Sequence, residues 1–167
     1  MKGGKTMSEL DVSHHPIKGR NRYCGPAAMA TILGVTTDHA ARVLRGLTGE
    51  RWIKGVSVQH LTAAMEQLGV HVRYTRIDAA YESLADWLRC NLQLFQASHL
   101  ILQFGVHGDS HYGTISGGMY QCNLSRMPVP FESIPFRPAA GVVFGVFEVI
   151  DRPLVAPRDA KVAARGT

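Results

Sequence analysis

The order of the hydrophobic patterns along the chain predicts an α+β fold. Up to about residue 90, apolar residues recur at helical spacing in four segments, interrupted by one alternating segment. From about residue 99 the pattern changes to period two and to short apolar runs separated by Gly-rich turns. Helices first and antiparallel strands after them are typical of α+β proteins and not of doubly wound sheets.

The length and composition predict one domain that folds without covalent crosslinks. The chain has 167 residues, of which 46% are hydrophobic, enough for a single core. Residues 1–18 are poor in apolar residues and are expected to form a flexible arm. Residues 19–151 form the predicted domain, and residues 152–167, rich in Pro and basic residues, form a predicted tail.

The cysteine count and the charge narrow the class of protein. Three cysteines without a C-x-x-C pair predict neither a disulfide framework nor a four-cysteine zinc site, and favour a reducing compartment. No apolar stretch follows Lys2 and Lys5, and none elsewhere is long enough to span a bilayer, so no membrane association is expected. The net charge is +5, but the basic residues are dispersed and not interleaved with aromatic residues, which argues against nucleic-acid binding.

The first predicted helix begins at Cys24. Pro26 suits a first helical turn, where its missing N–H costs nothing. The residues from Ala27 to Leu33 are apolar and small, so the helix can be buried, and Gly34 is the predicted stop.

Three further helices and one strand are predicted before residue 90. Thr36 or Thr37 caps a short second helix, and residues 45–56 are expected to form a loop punctuated by glycines. Ser57 caps a third helix that ends at Gly69, and the strand that follows alternates from residue 70 to 75. A fourth helix is predicted to begin near Ser83.

Four strands are predicted in the second half. They cover His99–Phe104, His111–Ile115, Met119–Tyr120 and Val142–Val149. Gly117 and Gly118 predict a tight hairpin turn between the second and third of them.

Cys24 is the candidate nucleophile. A thiolate at a helix N-terminus faces unsatisfied backbone N–H groups and the positive end of the helix dipole, which are expected to lower its pKa. The alternative is a buried cysteine that serves as a small hydrophobic residue.

His111 is the candidate general base for this cysteine. It opens a core strand, which holds the ring rigidly, and Gly113 leaves space beside it. The alternatives are His107, in the preceding turn, and His99, for which an apolar strand indicates a core role.

The imidazole needs an acceptor for its second N–H, and Asn123 is the first candidate. Asp109 is the second candidate, and Gln121 lies on the same returning strand as Asn123. For an oxyanion, the backbone N–H of Cys24 is one donor and the side chain of Asn21 is another. Arg20 or Gln59 could serve in place of Asn21.

Two motifs resemble those of papain-like cysteine peptidases. They are Cys24-Gly25-Pro26-Ala27-Ala28 with its apolar helix, and His111-Tyr112-Gly113 leading to the Gly117-Gly118 turn. Over residues 20–150 the chain is most similar to the bacteriocin-leader (double-glycine) peptidase-like branch and to small phage-encoded relatives. Those relatives more often carry Asp at the orienting position and a glutamine shortly before the cysteine, and this chain has neither.

The resemblance implies a papain-like fold, in which N-terminal helices pack on a C-terminal antiparallel sheet. It also implies a hydrolase that cleaves a peptide or isopeptide bond of a protein or peptide substrate, through an acyl-enzyme at Cys24 with His111 as base. No cofactor and no metal are expected. The expected location is the cytoplasm, or a virion if the protein is phage-encoded. The alternative is a papain-like protein without turnover that acts in binding or as a virion component.

Overall fold

A computed structural model describes residues 16–78, 83–97, 99–106, 109–135 and 140–151. These residues form an α+β fold of five helices and one antiparallel sheet of six strands. The helices are α1 (Cys24–Leu33), α2 (Thr37–Thr48), α3 (Val58–Gln67), α4 (Leu84–Cys90) and α5 (Leu92–Ala97). The strands are β1 (His71–Arg76), β2 (Leu100–Val106), β3 (Asp109–Ser116), β4 (Met119–Cys122), β5 (Val129–Pro130) and β6 (Val142–Asp151).

The last strand in sequence lies inside the sheet. The strand order is β1-β6-β2-β3-β4-β5, and every neighbouring pair is antiparallel. Strand β6 pairs with β1 along one edge and with β2 along the other. The sheet is therefore complete only when its final strand is in place.

The sheet separates two hydrophobic clusters, because alternate residues of a strand point to opposite faces. On β2, Ile101 packs in the cluster of α1, α2 and α3, whereas Leu100 and Leu102 pack in the cluster of α4. We call these the α1 face and the α4 face. Both clusters consist of buried side chains, nearly all of them aliphatic or aromatic.

The caps of three helices confirm the predicted starts. The hydroxyl of Thr36 accepts the N–H of the third helical residue of α2 at 3.2 Å, and those of Ser57 and Ser83 do the same for α3 and α4 at 3.2 and 3.1 Å. Helix α1 ends as predicted at Gly34, which has a φ of 69°.

The hairpin between β3 and β4 is also confirmed. Gly117 and Gly118 have φ values of 55° and 76°, as a two-residue turn of the I′ type requires. This turn places Gly113 opposite Cys122.

Several predicted boundaries were wrong. Helix α2 continues to Thr48, so the predicted loop over residues 45–56 begins only after the helix, at Gly49. Gly46 does not break the helix, and nothing lies within 4 Å of the place where its side chain would be. Helix α5 and strand β5 were not predicted.

The N-terminal boundary of the domain also differs from the predicted one. Ile17, assigned to the arm, is only 8% exposed, and its N–H donates to the carbonyl of Arg126 at 2.8 Å. The carbonyl of Lys18 accepts the N–H of Thr37 at 2.8 Å. The domain therefore includes Ile17 and Lys18. The predicted arm up to residue 15 lies outside the described residues, as does the predicted tail over 152–167. Across those that are described, no helix has the length and apolar character needed to cross a membrane.

Candidate functional site

Cys24 is the first residue of α1 and is partly buried. Its N-cap, Tyr23, makes no side-chain hydrogen bond to the helix, so no capping side chain covers the first turn. Gly25 has no room for a side chain, because a Cβ atom there would lie 2.5 Å from Val56 Cγ2. The loop that carries Val56 thus packs directly against the first turn.

A side chain of the sheet holds that loop in place. The Tyr112 hydroxyl donates to the carbonyl oxygen of Val56 at 2.9 Å. Tyr112 is buried on the α1 face, where its ring packs against Phe147. The loop that carries Val56 is therefore in contact both with the first turn of α1 and with Tyr112 of β3.

The N-terminus of α1 lies beside an unpaired part of β3. Strand β4 ends at Cys122, opposite Gly113, so among the described residues no strand pairs with the earlier part of β3 on that side. Here the backbone N–H groups of Tyr112, of Cys24 itself and of the next residue lie near the Cys24 sulfur and act to lower the pKa of the thiol. A strand edge and a helix end together surround this sulfur with three backbone donors.

Burial raises the pKa of the Cys24 thiol above its ordinary value. The three backbone donors lower the pKa, but the loss of hydration is the larger effect, and the nearby Cys122 sulfur adds to it. The predicted lowering of this pKa is therefore wrong in sign. At neutral pH the resting group is a thiol, which needs a base before it can attack.

His111 lies on the α4 face of the sheet, next to the same edge of β3. It is opposite Phe104 of β2, and the two rings meet edge to face with centroids 5.1 Å apart. Burial lowers the pKa of the imidazole, so the ring is neutral at pH 7 and able to accept a proton. Its Nε2 is buried and, within the described residues, has no hydrogen-bond partner.

Cys24 packs on the α1 face, beside the residue that follows His111, whereas the His111 side chain lies on the α4 face, and no hydrogen bond joins the two side chains. Tyr112, whose N–H contacts the sulfur, is the residue that follows His111. In proteins without bound substrate, catalytic hydrogen bonds are often long and shorten only in the complex.

Asn123 follows β4 and reaches the segment that leads into α1. Its Nδ2 donates to the carbonyl oxygen of Arg22 at 2.8 Å. Its Oδ1 is buried and has no partner among the described residues. The side chain is thus fixed at the site, with its acceptor atom unoccupied.

The other two candidates for orienting His111 are placed differently. Gln121 lies on the α1 face, opposite to His111, and its Nε2 donates to the carbonyl of Arg126 at 2.8 Å. Asp109 is exposed at the start of β3. Among the described residues, none of the three candidates is hydrogen-bonded to His111 Nε2, so the orienting role of Asn123 stays a prediction.

Asn21, the candidate oxyanion donor, shapes the turn before the helix. Its Oδ1 accepts the N–H of Tyr23 at 3.0 Å, which is an Asx turn. The backbone N–H groups of Arg20 and Asn21 donate to the Asp38 carboxylate at 2.8 and 3.2 Å. The alternatives, Arg20 and Gln59, are exposed. The oxyanion role stays a prediction.

Arg126 is a residue of the site that sequence reasoning missed. Its Nη2 donates to the carbonyls of Ile17 and Gly19 at 2.8 and 2.9 Å, and its Nη1 donates to that of Asn21 at 3.3 Å. A guanidinium with five N–H donors suits such a set of carbonyls. No local pattern could have indicated this role, since the three partners precede Arg126 by 105 to 109 residues.

The remaining histidines and cysteines stay outside the site or outside the described chain. His99 is buried, and its Nδ1 is hydrogen-bonded to Ser116 Oγ, which confirms the predicted core role. His107 lies outside the described residues. Cys90 is exposed and Cys122 is buried. Within the described part of the chain, no cluster of three or more His, Cys, Asp or Glu side chains could hold a metal ion.

No protein-family model and no curated protein matches this chain.

Proposed function

We propose that this protein is a cysteine hydrolase of the papain-like type, which cleaves a peptide or isopeptide bond with Cys24 as nucleophile and His111 as general base. The observation that carries the proposal is the contact of the Tyr112 N–H with the Cys24 sulfur. It puts the thiol at the edge of the strand that carries a neutral, partly buried imidazole. A helix that starts at the cysteine and packs on an antiparallel sheet is also the arrangement that the sequence resemblance implies.

In the first step His111 acts as general base, and both the Cys24 thiol and the His111 imidazole are uncharged beforehand. His111 takes the thiol proton as the sulfur attacks the substrate carbonyl, so the raised pKa of Cys24 and the lowered pKa of His111 describe the resting state. The imidazolium then returns this proton to the leaving amine. The remaining thioester at Cys24 is hydrolysed by a water that His111 deprotonates in turn.

The tautomer of His111 is set by the group that faces Nε2. With Nε2 carrying the hydrogen, Nδ1 is the basic nitrogen that serves Cys24. Asn123 supplies an acceptor for this purpose, since its Oδ1 is buried and otherwise unoccupied within the described chain. The developing oxyanion is stabilised by the backbone N–H of Cys24 and by the Asn21 side chain.

The test is the alkylation rate of each cysteine by iodoacetamide at pH 7.5, read by mass spectrometry. We expect Cys24 to react at least about tenfold faster than the buried Cys122, and His111→Ala to slow Cys24 by about tenfold or more. The exposed Cys90 is the internal control, and its rate should be the same in both proteins. Wild type and Cys24→Ala are then compared on a peptide library, with circular dichroism to verify that the variant is folded.

Two results would contradict the hydrolase. One is resistance of Cys24 to alkylation until the protein unfolds, and the other is a Cys24 alkylation rate that does not depend on His111. Either result would identify Cys24 as a structural thiol and favour the alternative function, a binding protein or virion component without turnover.

A further inference from the structure

Gln103 of β2 lies at the centre of a series of side-chain hydrogen bonds on the α1 face. It is opposite Tyr112 of β3 in the strand register, and residues directly opposite in an antiparallel pair share a face. The Tyr74 hydroxyl of β1 donates to Gln103 Oε1 at 2.9 Å. The amide nitrogen of Gln103 donates to the Tyr112 hydroxyl at 3.5 Å and to Ser110 Oγ at 3.3 Å. Both polar atoms of this carboxamide are therefore engaged.

The bond from Tyr74 to Gln103 crosses a strand. Strand β6 lies between β1 and β2, so the Tyr74 ring passes over it to reach Gln103. It does so at Gly145, the residue opposite Gln103, where a Cβ atom would lie 2.6 Å from Tyr74 Cε2. The ring also packs against Phe147, with centroids 4.8 Å apart. A glycine and an aromatic neighbour thus fix the direction of the Tyr74 hydroxyl.

The last bond of the series leaves the sheet and ends on the loop beside the nucleophile. The Tyr112 hydroxyl donates to the Val56 carbonyl oxygen at 2.9 Å. Val56 packs on Gly25, where a Cβ atom would lie 2.5 Å from Val56 Cγ2. Because Gly25 follows Cys24 directly, this loop covers the first turn of the helix that carries the thiol.

The direction of these bonds depends on Gln103. A tyrosine hydroxyl carries one hydrogen, so Tyr112 can donate to Val56 or to the side chain opposite it on β2, but not to both. Gln103 presents an N–H to Tyr112, which leaves the Tyr112 hydrogen for the Val56 carbonyl. Tyr74 keeps the carboxamide in this orientation, because its own hydrogen is directed at Oε1. A carboxylate in place of the carboxamide would only accept, and would compete with Val56 for the Tyr112 hydrogen.

We propose that Gln103 is a positioning residue, which holds the loop over residues 49–57 against the first turn of α1 through the Tyr112 hydroxyl. This inference rests on the proposed function, because the loop is then a fixed wall of the cleft in which Cys24 meets its substrate. Two hydrogen bonds carry the effect of Gln103 from β2 to the loop.

The test is amide hydrogen exchange over residues 49–57, read by mass spectrometry, in wild type, Gln103→Met and Gln103→Glu. Methionine keeps the length of the side chain without its hydrogen bonds, and glutamate keeps the shape but cannot donate to Tyr112. We expect both variants to exchange about fivefold faster over this loop, the factor that corresponds to one hydrogen bond of ordinary strength. Gln67→Glu, at the exposed end of α3, is the matched control and should exchange as wild type does.

The cysteines provide a second measurement in the same variants. A released loop uncovers the first turn of α1, so iodoacetamide should alkylate Cys24 about threefold faster at pH 7.5. The buried Cys122 reports global unfolding, and its alkylation rate should not change. If Cys122 accelerated as much as Cys24, the two substitutions would act on the whole fold, and the positioning role would be rejected.

A double-mutant cycle tests the route through Tyr112. In a Tyr112→Phe background the bond to Val56 is already missing, so Gln103→Met should add nothing to the exchange of the loop. An equal effect of Gln103→Met in both backgrounds would overturn the proposal. Wild-type exchange over residues 49–57 in Gln103→Glu would overturn it as well.

Hydrogen exchange also separates this proposal from the hydrolase. It needs neither a substrate nor a reactive thiol, so a loosened loop in Gln103→Met together with a Cys24 that resists alkylation would retain the role of Gln103 in holding the loop and reject the hydrolase. A Cys24 alkylation rate that depends on His111, with unchanged exchange of the loop in Gln103→Met, would do the reverse.

Discussion

The backbone N–H of Tyr112 lies beside the sulfur of Cys24, so the start of a helix lies next to β3 where, among the described residues, β4 has already ended. A main-chain donor cannot be removed by changing a side chain. The environment of this thiol is therefore fixed by the fold itself, and the side chains around it can be varied one at a time to test their roles.

The contact between Gly25 and Val56 predicts the effect of adding one methyl group. In Gly25→Ala the new Cβ would lie 2.5 Å from Val56 Cγ2, so the loop must move away from the first turn of α1. We expect a loss of about 1–3 kcal/mol in the free energy of unfolding, measured with urea, and a change in the Cys24 alkylation rate.

The matched control for this substitution is Gly46→Ala. Gly46 is an exposed helical residue with open space around it, so alanine there should stabilise the protein by about 0.5–1 kcal/mol. If the two alanines had the same effect on stability, the packing of the Val56 loop would not matter.

The burial of His111 predicts a pH dependence of stability. Its pKa is lowered in the folded protein from an ordinary value of 6.5, so the unfolded chain binds a proton more readily. The stabilisation that His111 contributes to the free energy of unfolding should be fully present above pH 6.5. It should decrease as the pH falls below that value. Urea unfolding at pH 7.5 and pH 5.5 should show this decrease in wild type and a smaller one in His111→Gln. His60→Gln, on the exposed side of α3, should keep the full decrease.

The contact of Asn123 with Arg22 predicts a graded loss of function. Asn123→Ala removes the hydrogen bond to the Arg22 carbonyl, so it should cost about 1 kcal/mol of stability, and it also removes the proposed acceptor for the imidazole. It should reduce hydrolysis, but less than Cys24→Ala or His111→Ala, because it removes an orienting group and not a reacting one. The measurement is peptide hydrolysis by each variant under the same conditions. If Asn123→Ala left the rate of hydrolysis unchanged and Asp109→Ala strongly reduced it, Asp109 would be the residue that orients His111.

The three hydrogen bonds of Arg126 predict that it stabilises the segment before the nucleophile. Arg126→Ala should lower the free energy of unfolding by about 1.5–3 kcal/mol, because the carbonyls of Ile17, Gly19 and Asn21 lose a charged donor. Amide hydrogen exchange should accelerate over residues 17–24. Arg42→Ala, on the exposed side of α2, provides the comparison and should leave exchange in that segment as in wild type.

Features set by local chemistry were predictable from the sequence. Thr36 and Ser57 cap their helices because a side-chain hydroxyl satisfies a free N–H, and Gly117 with Gly118 forms the hairpin because both residues adopt positive φ. Cys24 and His111 could be proposed as a pair because the sequence predicts that each lies at the start of a regular element. Cys24 is indeed the first residue of α1, whereas β3 starts two residues before His111.

Features that depend on distant parts of the chain were not predictable. The sign of the Cys24 pKa shift follows from burial by several elements, which no local pattern reveals. The role of Arg126 and the contact of Asn123 with Arg22 join segments about 100 residues apart. The path of Tyr74 over Gly145 needs the register of β1 and β6, which is known only once the sheet is formed.

The position of β6 between β1 and β2 has a consequence for how the protein is made. Until residues 142–151 have left the ribosome, β1 and β2 have no strand to join them, and neither layer of helices has a complete surface to cover. Long-range pairing of this kind comes late in folding, because the ends of a long loop must be brought together first. A growing chain therefore carries Cys24 and His111 well before the sheet that positions them can form, and the candidate site is assembled only after residues 142–151 have been synthesised.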